Sequence, residues 1–255
     1  MRFEKWQALG NDYLIVTEEL SAGDVRRVCD RHTGVGADGV LLLAQPDEPG
    51  FVARLRIFNP DGSEAEISGN GAREAVLYLH RRGWTDAQQF SIQTIAGEIR
   101  PTILDERTCR VDMGRARLGE EAEVAGLRGQ EVDVGNPQFS IHVADEDALA
   151  ALDLPAIGPA IERHPRFSGR TNVSFWTARG ASTIHARIFE RGAGETRSSG
   201  TGAIGAAVAH VLRGGDSPVT VVLDGGELIV DVGEDLHIDL TGWAEPVFAG
   251  EWPIA

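Results

Sequence analysis

The chain resembles itself. Arg56-Ile57-Phe58 returns as Arg187-Ile188-Phe189. With that offset of 131 residues held and no gap, Glu64 meets Glu195, Ser68 meets Ser199, Gly69 meets Gly200, Gly71 meets Gly202, Ala72 meets Ala203 and Ala75 meets Ala206. Nine of the 21 positions from Arg56 to Val76 are identical. Shorter pieces recur in the same order with small shifts: Gly10-Asn11-Asp12-Tyr13 against Gly135-Asn136-Pro137, Ala96-Gly97-Glu98-Ile99 against Gly225-Gly226-Glu227-Leu228, and Val111-Asp112-Met113 against Ile238-Asp239-Leu240. Repetition of this kind marks a duplicated domain, because a solenoid needs more and shorter repeats. The charged, weakly patterned stretch 117–129 is the expected boundary. One half is then 1–118, with a C-terminal tail, 245–255, able to return to it, and the other half is 119–244.

Each copy carries the same plan. Residues 51–58 alternate as a strand, a loop rich in Asp, Gly and Ser follows, and 71–82 place Ala72, Ala75, Val76 and Leu79 on one helical face. In the second copy 183–189 form the strand and 202–212 the helix, which is apolar on every side and so expected to be buried. Further strands are expected at 91–94, 98–103, 110–113, 219–223, 227–232 and 236–240. The fold class is α/β (α+β): two pseudo-symmetric domains, each a mixed sheet wrapped around a central helix, with a small-molecule site in the cleft between them.

Composition narrows the partners. A formal net charge of -15 disfavours nucleic acid and anionic membranes, which require clustered Lys and Arg. Two cysteines, Cys29 and Cys109, make neither a disulfide framework nor a zinc site. Met1 to Gly10 carries Arg2, Glu4 and Lys5 with no long apolar run, unlike an export signal, and no apolar run reaches spanning length. The cytoplasm is the expected location.

Chemistry is expected at Ser68-Gly69-Asn70-Gly71 and Ser199-Gly200-Thr201-Gly202. Each opens a helix, where the first N–H groups have no intrahelical partner and the macrodipole favours an anion. Ser before such a turn is also an ordinary N-cap. The duplication favours a joint role, with the two serines facing each other and the two turns holding one carboxylate together.

Other motifs join these turns in a specific resemblance. Phe3-Glu4-Lys5 leading to Gly10-Asn11-Asp12-Tyr13, the run Asp30-Arg31-His32-Thr33-Gly34-Val35-Gly36-Ala37-Asp38-Gly39, Phe58-Asn59-Pro60-Asp61-Gly62-Ser63, Gly69-Asn70-Gly71-Ala72-Arg73, Gly135-Asn136-Pro137, Thr171-Asn172-Val173 and Glu190-Arg191-Gly192-Ala193-Gly194-Glu195-Thr196 resemble the diaminopimelate epimerases, in family order and over nearly the whole chain. These belong to the cofactor-independent amino-acid racemases and epimerases. The resemblance implies epimerisation of LL- to meso-diaminopimelate for lysine and cell-wall precursor synthesis, with no pyridoxal phosphate and no metal, by a homodimer.

In that family two cysteines on opposite faces of the α-carbon act as base and acid. By resemblance Ser68 and Ser199 stand at those positions, and in an enzyme that runs on serines Glu190 or another carboxylate would relay protons, Glu190 being the catalytic candidate beside them. Gly69, Asn70, Gly200 and Thr201 would receive the α-carboxylate, with Asn136 and Glu190 beside the reacting amine. Asn11, Asn59, Asn172 and Arg191 would hold the distal amino-acid centre. An Arg grips a carboxylate with two parallel bonds, and Asn offers both a donor and an acceptor to a zwitterion. Any one of these Asn residues is also a turn former.

Besides the serines, Gln138 replaces the family's usual His, and Glu74 and Gly205 stand where further cysteines are common. Three accounts of the serines remain open: a natural enzyme running on serine, divergence to another amino acid or a one-sided reaction, and serines introduced to trap a ligand or avoid oxidation. A non-catalytic amino-acid-binding protein is the alternative of a different class.

Overall fold

The structure is a computed structural model that describes residues 1–253; the last two positions of the C-terminal tail considered above lie outside the described residues. The chain divides into two compact units, Met1–Asp112 with the segment from Gly242, and Met113–Thr241.

The first unit holds β1 (Arg2–Ala8), β2 (Asn11–Val16), α1 (Ala22–Cys29), β3 (Gly39–Ala44), β4 (Ala53–Phe58), the two-residue β5 (Glu64–Ala65), α2 (Gly69–Arg81), β6 (Ile92–Thr94), β7 (Gly97–Ile99) and β8 (Pro101–Ile103). The chain leaves it within β9 (Thr108–Arg115). The second unit holds β10 (Arg117–Val124), β11 (Leu127–Asp133), β12 (Pro137–His142), α3 (Glu146–Ala150), α4 (Leu154–Glu162), β13 (Asn172–Ala178), β14 (Thr183–Glu190), β15 (Gly194–Thr196), α5 (Gly200–Leu212), β16 (Val219–Leu223) and β17 (Gly226–Val232). The chain leaves this unit within β18 (His237–Trp243), and β19 (Glu245–Glu251) completes the first.

The first unit's sheet runs β19-β1-β2-β3-β4-β6-β7, with β5 paired to β4. Its β2/β3 and β4/β6 pairs are parallel and the rest antiparallel. The second unit repeats this order as β10-β11-β12-β13-β14-β16-β17, with β15 on β14, and β12/β13 and β14/β16 are its parallel pairs. Strand by strand the pairings of one unit reproduce those of the other. The duplication read from residues is thus a duplication of topology.

Side-chain alternation decides which residues reach each helix. In β2 and β3, Leu14, Val16, Val40 and Leu42 pack with Val25 and Val28 of α1 in one apolar cluster. Tyr13, Ile15 and Leu41 point to the opposite face, where α2 lies against β1, β2 and β3. In the second unit Phe139, Ile141, Val173 and Phe175 pack with Leu149 of α3 and Leu154 and Ile161 of α4. Gln138, Ser140, Asn172 and Ser174 face α5. Helix α5 touches β11, β12, β13, β14, β16 and β17, and is buried from Gly200 to His210. Small residues on every side let strands approach all round it.

Local differences from the sequence reading have plain causes. Helices α2 and α5 begin at Gly69 and Gly200, two residues earlier than their apolar periodicity, because Ser68 and Ser199 cap them. The expected strand at 98–103 is two strands, broken at Arg100. The weakly patterned 117–129 falls in the β10–β11 hairpin, whose charged residues are largely exposed. Among the described residues no helix is long and apolar enough to cross a membrane.

Candidate active site

Ser68 and Ser199 are N-caps with matching backbones, φ/ψ of -137/119 and -141/120 degrees. Each Oγ accepts a hydrogen bond from the N–H three residues on, Gly71 at 3.1 Å and Gly202 at 3.2 Å. The second glycine of each turn is required by packing. A Cβ on Gly71 would lie 2.9 Å from Leu41 Cδ2, and one on Gly202 2.7 Å from Ile188 Cγ2.

In the first unit a polar chain leads to α2. The Asn11 side-chain amide donates to Asp38 Oδ2 at 2.8 Å, and its carbonyl accepts from Asn70 Nδ2 at 3.1 Å. Asn70 Oδ1 accepts from Arg73 Nη2 at 2.7 Å, and Arg73 Nη1 donates to the Gly69 carbonyl at 2.9 Å. The far end is anchored by Arg31, 2.7 Å from both Asp12 and Asp38, and by Lys5, 2.6 Å from Asp12. Burial alone would raise the Asp12 carboxyl, but bonds from Arg31 and Lys5 outweigh it and hold Asp12 below its ordinary range. Arg73 is wholly enclosed; burial pushes its guanidinium down to about 10, so it remains a cation at neutral pH beneath the helix start. Tyr13 Oη donates to Ser68 Oγ at 3.2 Å.

The second unit repeats this arrangement with different residues. Asn136 Nδ2 donates to Thr201 Oγ1 at 3.2 Å, the counterpart of the Asn11–Asn70 bond. Gln138 Nε2 donates to the same hydroxyl at 3.1 Å. Asn172 Nδ2 donates to Asn136 Oδ1 and to the Pro137 carbonyl, both at 2.9 Å, while its Oδ1 accepts the Arg191 N–H at 2.9 Å. Ser199 Oγ donates to Glu190 Oε2 at 2.9 Å, and Thr196 Oγ1 to Glu190 Oε1 at 2.8 Å. Glu190 is thereby fixed as an acceptor beside the capping serine.

Of the residues expected from sequence, Asn11, Gly69 and Asn70 come together with Ser68 in the first unit. Asn136, Asn172, Glu190, Gly200 and Thr201 come together with Ser199 in the second. Arg191 joins through its backbone; its side chain is exposed and donates to the Gly169 carbonyl at 2.8 Å. Asn59 stands apart. It closes its own turn, with Nδ2 on Ser63 Oγ at 3.0 Å and its N–H on the Ser63 carbonyl at 2.8 Å.

Sequence reasoning gave no role to Tyr13, Asp38, Arg73 or Thr196. All four lie inside quoted motifs; Tyr13 and Asp38 find partners on other segments and Thr196 across a hairpin, while Arg73 turns back on its own helix start. The two departures at Gln138 and Gly205 prove to be neighbours. A Cβ on Gly205 would lie 2.9 Å from Gln138 Cβ and 3.2 Å from Ser140 Oγ, so β12 packs against α5 too closely for a side chain at 205 without a shift.

The fold recurs in a predicted epimerase from Pseudomonas aeruginosa, with a TM-score of 0.76 at 17% identity, covering 100% of this chain and 99% of that one. A family model and full-length relatives make the chain an isomerase of the epimerase kind. The diaminopimelate epimerase family model matches residues 3–119 and 131–245. A diaminopimelate epimerase of Pelotomaculum thermopropionicum is 42% identical over 282 positions, covering 99% of both proteins, and one of Desulforudis audaxviator is 41% identical over 283 positions, again covering 99% of both. The chain belongs to the diaminopimelate epimerase family.

Proposed function

We propose that this protein epimerises LL-2,6-diaminopimelate to meso-diaminopimelate without a cofactor, Ser68 and Ser199 moving the α-proton. The observation that carries this reading is the wiring of the two caps. Each serine oxygen sits at a helix start, and Ser199 points its proton at Glu190, whose other oxygen is held by Thr196. Free serine is a poor base, so a neighbouring carboxylate that takes its proton as it attacks is what the chemistry requires. The N–H groups opening α2 and α5, at Gly69, Asn70, Gly200 and Thr201, suit an α-carboxylate. That carboxylate also helps to delocalise the carbanion formed when the α-proton leaves.

Asn136 and Glu190 lie by the amine in this reading. Asn11, Asn59, Asn172 and Arg191 serve the distal centre, Asn59 and Arg191 after leaving their present partners. The same reading carries a homodimer working in the cytoplasm on lysine and cell-wall precursors.

The test is incubation in deuterated water with LL- and meso-diaminopimelate, and with glutamate and proline as controls. Deuterium entering the α-carbon of diaminopimelate with inversion supports the reading. Exchange in glutamate or proline alone points to a diverged racemase. Saturable binding of diaminopimelate without exchange makes the protein a binder.

A further inference from the structure

The two capping serines have different partners. Ser199 accepts from Gly202 N–H and donates to a carboxylate, so its environment draws its proton away. Ser68 accepts twice, from Gly71 N–H at 3.1 Å and from the Tyr13 phenol at 3.2 Å. Two donors aimed at one oxygen stabilise the negative charge left when that oxygen loses its own proton. The pair therefore consists of a serine set up as a base and a serine set up as an acid.

Tyr13 is placed for this task by its surroundings. It lies on the α2 face of β2, buried, in parallel register with Gly39 of β3. A Cβ on Gly39 would sit 2.6 Å from Tyr13 Cε1, so the ring occupies the space a side chain there would fill. The equivalent position of the other copy is Gln138, which reaches Thr201 and not the capping serine. The phenol is thus specific to the Ser68 side.

We propose that Tyr13 is a positioning residue for Ser68, holding it as the proton donor by stabilising the alkoxide it becomes. The proposal rests on the reading of Ser68 as an acid–base group. As Ser199 Oγ takes the α-proton, its own proton passes to Glu190, and the C–H electron pair stays on the α-carbon. That pair then forms a new C–H bond with the Ser68 proton. The electron pair left on Ser68 Oγ is held by Tyr13 O–H and Gly71 N–H. The reverse reaction, or exchange of both sites with water, restores the starting protonation.

The test uses the full-length protein carrying Ser68→Cys. Its native thiols give little background, because Cys29 and Cys109 are buried and burial pushes each up to about 12. The alkylation rate of the new thiol by iodoacetamide at neutral pH reports its thiolate content. Adding Tyr13→Phe should slow that reaction by about three- to tenfold, the loss of one hydrogen bond to the anion. An unchanged or faster rate overturns the proposal.

The second measurement is turnover of diaminopimelate. Tyr13→Phe in the parent should lower kcat roughly tenfold with KM within about twofold, and should cost less in the Ser68→Cys background, because a thiolate needs less help than an alkoxide. Equal losses in both backgrounds would assign Tyr13 a packing role and overturn the proposal. If the parent shows no α-deuterium exchange, the epimerase reading fails, and the alkylation result still decides whether Tyr13 stabilises an anion at position 68.

Discussion

Arg73 and Glu74 are adjacent on α2 and both wholly enclosed, yet their side chains have opposite fates. Arg73 keeps its charge, spending two N–H groups on Gly69 and Asn70 at the helix start. The Glu74 carboxyl draws only on the Tyr13 backbone N–H, and among the described residues neither of its oxygens completes a well-formed hydrogen bond. Burial pushes the Glu74 carboxyl well above the usual carboxylate range, against the pull of Arg73, so the folded protein keeps it protonated. Unfolded, this group releases its proton near pH 4.5. The folded state then binds one proton more than the unfolded state above that pH, so this contribution to stability falls as pH rises towards the folded value. Glu74→Gln removes the titration, and its effect on the melting midpoint relative to the parent should shift in the mutant's favour from pH 5 to pH 8, by at most about 1.4 kcal/mol per pH unit. Parallel midpoint curves for the two proteins would show that Glu74 ionises in the fold. A second expectation at this scale concerns Arg191, the only cation of the proposed distal set. Arg191→Ala should weaken diaminopimelate binding roughly ten- to hundredfold, as for a lost bond to a charged partner of about 1.5–3 kcal/mol. Binding of amino acids with a single carboxylate should change little; calorimetry on both ligand types checks this, and equal losses would take the distal carboxylate away from Arg191.

Between residues and molecule stand the elements, and here composition and contact sometimes oppose each other. Gly205 lies inside α5, where Ala is ordinarily preferred by about 1 kcal/mol. The close approach of Gln138 reverses that preference, since a methyl group at 205 would lie 2.9 Å from Gln138 Cβ. Gly205→Ala is expected to destabilise the protein by about 1–2 kcal/mol net, overpacking outweighing propensity. Adding Gln138→Ala removes the Cγ contact at 3.1 Å but keeps Cβ, so it should recover only part of the loss, and urea unfolding of the three variants measures both effects. If Gly205→Ala alone stabilises, β12 yields more readily than its packing implies. The same scale explains what the sequence revealed and what it hid. Strand β16 stands at 219–223 as periodicity predicts, because its alternation is clean and one face is buried. The β10–β11 hairpin escaped because much of its surface is charged and exposed, leaving little hydrophobic pattern to read. Helix α1 escaped although Ser21 and Asp24 form a capping box at its start, a signal that was there to be found. In the site, the identities of Asn11, Asn136, Asn172 and Glu190 came from family motifs. Which of them touch came only from strand register and the face each strand turns to its helix.

At the scale of the whole molecule, duplication made two copies of one device and sequence drift made them unequal. The topology, the capping geometry and a bond between the helix start and an Asn, Asn11 opening β2 or Asn136 just before β12, are kept in both copies, while the partners of the two serines differ. An epimerase needs such inequality in any single turnover, because one group must accept a proton as the other supplies one. It needs equivalence over a full cycle, because the reaction runs both ways. Serine meets the second need poorly, since its alkoxide is scarce at neutral pH, whereas a thiol at a helix N-terminus is readily ionised. If the proposed function holds and the serines limit the rate, changing both Ser68 and Ser199 to Cys should raise kcat/KM for diaminopimelate by tenfold or more on the order of magnitude expected for a better-populated base. Each single change should give less, because the remaining serine still has to serve as base in one direction and to leave an alkoxide in the other. The two directions must gain by the same factor in kcat/KM, since no enzyme variant alters the equilibrium between the stereoisomers, and initial rates from both isomers check this internally. A double-cysteine protein slower than the parent from both isomers would mean that Tyr13 and Glu190 are matched to serine oxygens, or that the reaction catalysed is a different one; deuterium exchange across the amino-acid panel separates the two.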